Sequence, residues 1–207
     1  MTNPNCQLYL ISPLEVGGDF PARLEEALSA GPVAAFQFRV KGMDQHAAFA
    51  LAEPLQAICA AHDVALIVND SVGLAKRLNA DGVHLGQEDG DPREAREILG
   101  RDAQIGVTCH NSRHLAMEAA EAGADYVAFG AFFPTTTKDA KHVAELDTVR
   151  KWSLVTEIPC VAIGGVTADN AAPLVEAGAD FLAVSAAVWN HPEGPAAAVK
   201  AFNALLA

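Results

Sequence analysis

The sequence predicts an α/β protein folded as one (β/α)8 barrel, a TIM barrel, in a single domain over residues 1–207. Three observations predict it. Eight short apolar or β-branched runs recur at near-regular intervals, at 8–12, 33–38, 65–68, 82–85, 104–107, 126–129, 160–163 and 181–184. Alanine-rich amphipathic segments separate them. A phrase also repeats: "EAGADYVAFG" from Glu121 and "EAGADFLAVS" from Glu176 are near-copies, and "LNADGVHLG" from Leu78 is a looser one. Runs that are almost continuously apolar suit strands buried on both faces. A repeated helix end, Gly or Asn turn and strand signals parallel winding, and eight such units close most simply into a barrel. The alternative is an open doubly wound sheet, but the turn after the first run reads "PLEVGGDF" and lacks the GxGxxG of such folds.

In such barrels the functional site forms at the C-terminal ends of the strands. The polar residues that follow each run are therefore informative. The second run ends "FQFRVKG": Gln37, Arg39 and Lys41 alternate and share one face, with Phe38 and Val40 between them. Polar and cationic side chains on an apolar strand are costly unless a ligand or counter-charge meets them. The third ends "IVND", with Asn69 and Asp70, which taken alone reads as a helix cap before "SVGLA". The fourth ends "VHLGQED", with His84, Gln87, Glu88 and Asp89, and the fifth "GVTCHN", with Thr108 and His110. The helix after the fifth takes Asn111 or Ser112 as N-cap, Leu115, Ala119 and Ala122 as its apolar face, and Gly123 as its end.

The sixth run leads into "AFGAFFPTTTKDAKH", with Thr135, Thr136, Thr137 and Lys138. Three hydroxyls and an ammonium in a row suit water or a ligand rather than a core. Pro134 fixes the start of this loop, and the polar residues after Lys138 suit a lid that closes on substrate. The seventh run ends "AIGGV", with Gly164 and Gly165, and the eighth "AVSAAV", with Ser185, which taken alone reads as an N-cap, and Ala186 behind it.

These groups sort into two chemistries. Gly165 and the amides near Ser185, joined by the threonines, resemble the phosphate cradle that barrels build after strands seven and eight. Arg39, Lys41, Asp70 and Asp89 suit a diphosphate with Mg²⁺: hard oxygen ligands hold the cation, and the basic side chains take the remaining charge. One phosphate pocket and one metal–diphosphate pocket imply two small-molecule substrates.

Composition agrees. Of 207 residues 51% are hydrophobic and 19% charged, enough for a large core. A net charge of −12 disfavours nucleic acid and anionic membranes as partners. The cysteines, Cys6, Cys59, Cys109 and Cys160, fall in no CxxC pair and read as small buried hydrophobes in a reducing compartment. The first residues, "MTNPNCQLYLIS", carry no basic region, and no apolar stretch nears the ~18 residues of a membrane span. The expectation is a soluble cytoplasmic protein without a targeting segment. A homo-oligomer is left open.

Taken together, six motifs resemble the thiamine phosphate synthase (thiamine-phosphate pyrophosphorylase) family, over almost the whole chain. They are Q-x-R-x-K (Gln37, Arg39, Lys41), N-D (Asn69, Asp70), H-L-G-Q-x-D (His84 to Asp89), G-V-[ST]-x-H (Gly106 to His110), P-T-x-T-K (Pro134 to Lys138) and I-G-G-[IV] (Ile163 to Val166). The resemblance implies a transferase that joins the diphosphate of 4-amino-5-hydroxymethyl-2-methylpyrimidine to a thiazole phosphate, releasing diphosphate. It further implies that Gln37, Phe38, Arg39, Val40, Lys41, Asn69, Thr108 and Lys138 bind the pyrimidine diphosphate, with Arg39, Lys41 and Lys138 stabilising the leaving group. Asp70 and Asp89 would ligate Mg²⁺. Thr135, Thr136, Thr137, Gly165, Ser185 and Ala186 would hold the thiazole phosphate. No protein nucleophile is needed, so His84 and His110 are expected to hydrogen-bond at strand ends. Three positions depart from the family pattern: Thr108 stands where serine is common, Val40 where an acid is common, and "AVSAAV" where V-I-S-A-I is common. The alternatives are a thiazole tautomerase-like barrel and a non-catalytic thiazole phosphate-binding regulator. Retention of Arg39, Lys41, Asp70, Asp89 and Lys138 favours the synthase.

Overall fold

A computed structural model describes residues 5–135 and 143–207 of the chain. Eight parallel strands close into a barrel in chain order: β1 (Gln7–Ile11), β2 (Ala35–Phe38), β3 (Ala65–Asn69), β4 (Gly82–Leu85), β5 (Gln104–His110), β6 (Tyr126–Gly130), β7 (Cys160–Ile163) and β8 (Phe181–Val184). β8 pairs with β1 and completes the circle. Between them lie α1 (Phe20–Leu28), α2 (Gln45–Ala61), α3 (Val72–Leu78), α4 (Pro92–Leu99), α5 (Arg113–Glu121), α6 (Leu146–Val155) and α7 (Ala172–Glu176). The short α8 (Ala186–Trp189) and the longer α9 (Pro195–Leu206) follow β8.

Strand alternation splits the core in two. One set of side chains, among them Leu8, Leu10, Phe36, Phe38, Val83, Val127 and Leu182, packs outward against the helices. The other set, including Tyr9, Ile11, Ile67, Tyr126, Ala128 and Val161, fills the barrel. Both sets are buried, which is why the strands read as continuous apolar runs. The helix starts follow ordinary capping chemistry. Side chains of Asp44, Ser71, Asp91 and Ser112 accept backbone N–H groups at the starts of α2, α3, α4 and α5.

Two positions that taken alone read as helix caps make no capping bond. Ser71, not Asn69 or Asp70, caps α3, which leaves the Asn-Asp pair at the end of β3 outside the helix. Ser185 stands at the N-cap position of α8 but makes no capping bond; its hydroxyl donates to the carbonyl of Ser12 at 3.4 Å.

The repeated "AD" dipeptide has a structural role at the N-terminal end of the barrel. Asp81, Asp125 and Asp180 precede β4, β6 and β8. Each carboxylate accepts the first free amide of the preceding strand: Leu66 N–H at 2.7 Å, Ile105 N–H at 2.6 Å and Cys160 N–H at 2.8 Å. Arg96 adds an ion pair to Asp125 at 2.5 Å. The sequence repeat is thus a repeated strand-to-strand tie. Among the described residues, no helix is long and apolar enough to cross a membrane.

Candidate active site

The C-terminal end of the barrel carries the described residues singled out from the sequence. On β2 and just beyond it, Gln37 and Arg39 are buried while Lys41 is exposed. Phe38 packs outward with the helix–sheet core and Val40 lies against the same core, so only their backbone can face the barrel mouth. Ser12, fully buried at the end of β1, holds this segment: its Oγ accepts the Arg39 amide at 2.9 Å and donates to the Pro13 carbonyl at 2.9 Å. Ser12 was not recognised from the sequence as anything beyond a strand end.

Among the described residues, one buried side-chain polar atom has no hydrogen-bond partner: Nη1 of Arg39. Burial pulls this guanidinium below its ordinary pKa, and the carboxylate of Asp70 opposes the shift. A buried charged donor without an acceptor costs more than ~1–3 kcal/mol. Such a cost makes Arg39 a candidate position for an anionic ligand.

The next strands add strained and polar positions. Among the described non-glycine residues, four have positive φ: Asp63 and Asn79, and, at the ends of β3 and β5, Asp70 (φ 63) and His110 (φ 53). Left-handed backbone outside glycine carries a modest cost and clusters at sites. The ladder between β5 and β6 shifts register between Thr108 and His110, so the end of β5 bulges beside the mouth. Asp89 follows β4 and closes a turn, its Oδ2 accepting the Gly86 amide at 2.9 Å.

Asp70 and Asp89 therefore stand after neighbouring strands of the barrel. Among the described residues there is no cluster of three or more His, Cys, Asp or Glu side chains set for a metal. Two carboxylates still fit Mg²⁺, which commonly takes one or two from the protein and leaves its other positions to water and phosphate oxygens. Asp89 can keep its bond to Gly86 with one oxygen and offer the other.

On the opposite side, the loops after β6 and β7 pack tightly together. Gly164 (φ 100) and Gly165 (φ 65) lie so close to Ala131, Phe133 and Pro134 that a Cβ on either would collide with them. Phe132 and Phe133 amides donate to the carbonyls of Ile163 and Gly164, at 3.2 and 3.0 Å. Asn170, also missed in the sequence, braces this turn: its Nδ2 donates to the Gly165 carbonyl at 3.0 Å and its Oδ1 accepts the Thr167 amide at 2.8 Å. Thr135 is half-buried at the end of this loop. Thr136, Thr137, Lys138 and the expected lid up to His142 lie outside the described residues.

The four cysteines are free and buried, and burial pushes each thiol up to about 12. They stay protonated at neutral pH and are inert as nucleophiles. His84 makes hydrogen bonds through both ring nitrogens.

Comparison with known proteins decides between the readings this arrangement permits. A sequence model described as thiamine monophosphate synthase matches residues 8–188. The chain belongs to the thiamine monophosphate synthase family. A thiamine-phosphate synthase of Erythrobacter litoralis is 72% identical over 200 residues, covering 95% of this chain and 93% of that protein. One of Rhodospirillum centenum is 54% identical over 203 residues, covering 98% of each. Among solved structures, thiamine phosphate pyrophosphorylase from Pyrococcus furiosus superposes with a TM-score of 0.86 at 32% identity, covering 99% of this chain and 96% of that one. The family is one of transferases of thiamine biosynthesis that act on small molecules.

Proposed function

We propose that this chain forms thiamine phosphate by displacing diphosphate from the exocyclic methylene of the aminopyrimidine with the nitrogen of thiazole phosphate. The observation that carries this reading is Arg39, buried, unpaired at Nη1 and paired electrostatically with Asp70. In the reaction the bond between the methylene carbon and the diphosphate oxygen breaks, and its electron pair leaves with diphosphate. The thiazole nitrogen lone pair then forms the new carbon–nitrogen bond. The electron-rich aminopyrimidine can carry positive charge on the methylene between these events, so no protein nucleophile is required.

The protein's share is electrostatic and positional. Arg39, Lys41 and Lys138 would neutralise charge that grows on the leaving diphosphate. Gln37, Asn69, Thr108 and the backbone of Phe38 and Val40 would fix the pyrimidine. Asp70 and Asp89 would hold Mg²⁺, which when bound neutralises diphosphate oxygens. Thr135, Thr136, Thr137, Gly165 and the backbone amides at Ser185 and Ala186 would hold the thiazole phosphate. The Ser185 hydroxyl is engaged with Ser12, so the serine–alanine shift matters little if backbone amides do the binding.

The test is a Mg²⁺ titration of turnover. Asp70→Asn and Asp89→Asn should each require far more Mg²⁺ for half-maximal rate, while their melting temperatures stay near wild type. A variant with wild-type rate at limiting Mg²⁺ would remove that residue from the metal site.

A further inference from the structure

Below the barrel mouth runs a line of polar groups that the proposed chemistry leaves partly unexplained. Gln37 Nε2 donates to the Tyr9 hydroxyl at 3.0 Å. That hydroxyl lies 3.0 Å from the hydroxyl of Tyr126, which lies 3.1 Å from Nδ1 of His84. Nε2 of His84 lies 2.8 Å from Oγ1 of Thr108. The line crosses the barrel interior from β2 through β1 and β6 to β4 and β5. Only its two ends, Gln37 and Thr108, belong to the substrate groups assigned above.

We infer that Tyr9, Tyr126 and His84 are positioning residues, forming a hydrogen-bond chain of one polarity that holds His84 as its Nε2–H tautomer and turns the Thr108 hydroxyl hydrogen toward the substrate. The inference rests on the reading that Thr108 faces the pyrimidine diphosphate. With Gln37 Nε2 donating, and each hydroxyl accepting one hydrogen and giving one along the chain, donor counting sets the polarity. Burial pushes the Tyr9 phenol up to about 12 and raises that of Tyr126 well above its ordinary value, so each has one hydrogen to give at neutral pH. Tyr9 accepts from the Gln37 amide and gives its hydrogen to Tyr126. Tyr126 gives its own to Nδ1 of His84, which is therefore an acceptor. When the imidazole carries a single hydrogen, that hydrogen sits on Nε2 and is donated to Thr108 Oγ1. Thr108 is left with a hydrogen to donate beyond the chain. The reverse polarity needs the Gln37 amide turned end for end and Nδ1–H on His84, and it would tie up the Thr108 hydrogen.

A second observation shows that the middle of the chain is built in. A Cβ added to Gly106 would collide with the Cζ and hydroxyl of Tyr126. Gly106 is absent from the glycines with positive φ, so backbone conformation does not demand glycine there. What demands it is the space occupied by Tyr126. The ring of Tyr126 is also stacked on His84, with centroids 5.6 Å apart and planes at 28°.

Two measurements test the chain. The first is the ¹⁵N imidazole spectrum of ligand-free protein, with His84 assigned by its loss in His84→Gln. The expected result is a pyridine-like Nδ1 and a pyrrole-like Nε2; a protonated Nδ1 on a neutral ring overturns the inference. The second is a double-mutant cycle. Tyr126→Phe should lower kcat about 5–10-fold, the loss of one aligned hydrogen bond. In a Thr108→Val background the same change should cost less than about twofold, whereas in Thr108→Ser, which keeps the hydroxyl, the full loss should return. Losses that multiply independently of residue 108 would make Tyr126 merely structural. Gly106→Ala should reproduce the Tyr126→Phe kinetics; if it does not fold, the cycle with Tyr126→Phe stands without it. The tautomer is read without substrate, so absence of thiamine phosphate formation would overturn the proposed function and leave the tautomer result intact, and the reverse holds equally.

Discussion

The two ends of the barrel use the same residue types for opposite purposes. At the N-terminal end, the Asp81, Asp125 and Asp180 carboxylates each meet a backbone amide of a neighbouring strand, and Arg96 meets Asp125. At the C-terminal end, Arg39 is buried with an unpaired nitrogen, Asp70 sits in a left-handed conformation, and Gly164 and Gly165 bring two loops into contact. One end is satisfied within the chain. The other, among the described residues, leaves one buried guanidinium nitrogen without a partner. Paired charges hold a fold together, and unpaired ones show where chemistry is expected.

Substitutions at the two ends should separate activity from stability. The largest effect is expected at the C-terminal end. Arg39→Met should lower kcat/KM for the pyrimidine diphosphate about 10²–10³-fold, the usual cost of removing a donor aimed at developing charge. Its melting temperature should not fall, because the change removes a buried, unpaired guanidinium nitrogen. Steady-state kinetics with calorimetry would check both halves, and a large drop in melting temperature would place Arg39 in the structural class.

The mirror-image result is expected at the N-terminal end. Asp125→Ala strands the Ile105 amide and unpairs Arg96, which should cost about 1–3 kcal/mol. For a chain of this size that lowers the melting temperature by roughly 2–12 °C. Both KM values and kcat per folded molecule should stay at wild type. A selective kinetic defect in folded Asp125→Ala would end the separation between the two ends.

Gly165→Ala tests the intermediate case. A methyl group there meets Pro134 and Phe133 and sits on a backbone at φ 65. It should raise KM for thiazole phosphate about 10-fold, a single-contact effect of roughly 1.4 kcal/mol, with little change for the pyrimidine diphosphate. Equal changes in both KM values would mean that the loops do not form separate pockets. The smallest effect is expected from the thiols. Iodoacetamide at pH 8 should leave turnover unchanged, since all four are buried and protonated. Inactivation that tracks alkylation of Cys109 would contradict this.

Most of the barrel was legible because its strands are buried on both faces and its helices end in recognisable turns. Strand boundaries moved by more than one residue at two places, where backbone pairing rather than hydropathy decides: β2 starts at Ala35 rather than at residue 33, and β5 runs on to His110. The candidate site was legible wherever a polar residue interrupts an apolar strand end, as at Gln37, Arg39 and Asp70. Tyr9 and Tyr126 were not, because a tyrosine inside an apolar run reads as packing and its hydroxyl partner lies on a distant strand. The role of Asp125 and Asp180 was hidden in plain view, since a carboxylate in a turn looks solvated until the neighbouring amide is located. Phe38 and Val40 entered the site by lying between motif residues, and alternation alone already turns their side chains away.

The most direct test of the account is a single time course with purified protein, both substrates and Mg²⁺, following diphosphate and thiamine phosphate together. The account predicts that the two products appear in equal amounts, that chelation of Mg²⁺ suppresses both, and that Arg39→Met slows both alike. Diphosphate release without thiamine phosphate, or no product from folded protein, would contradict it.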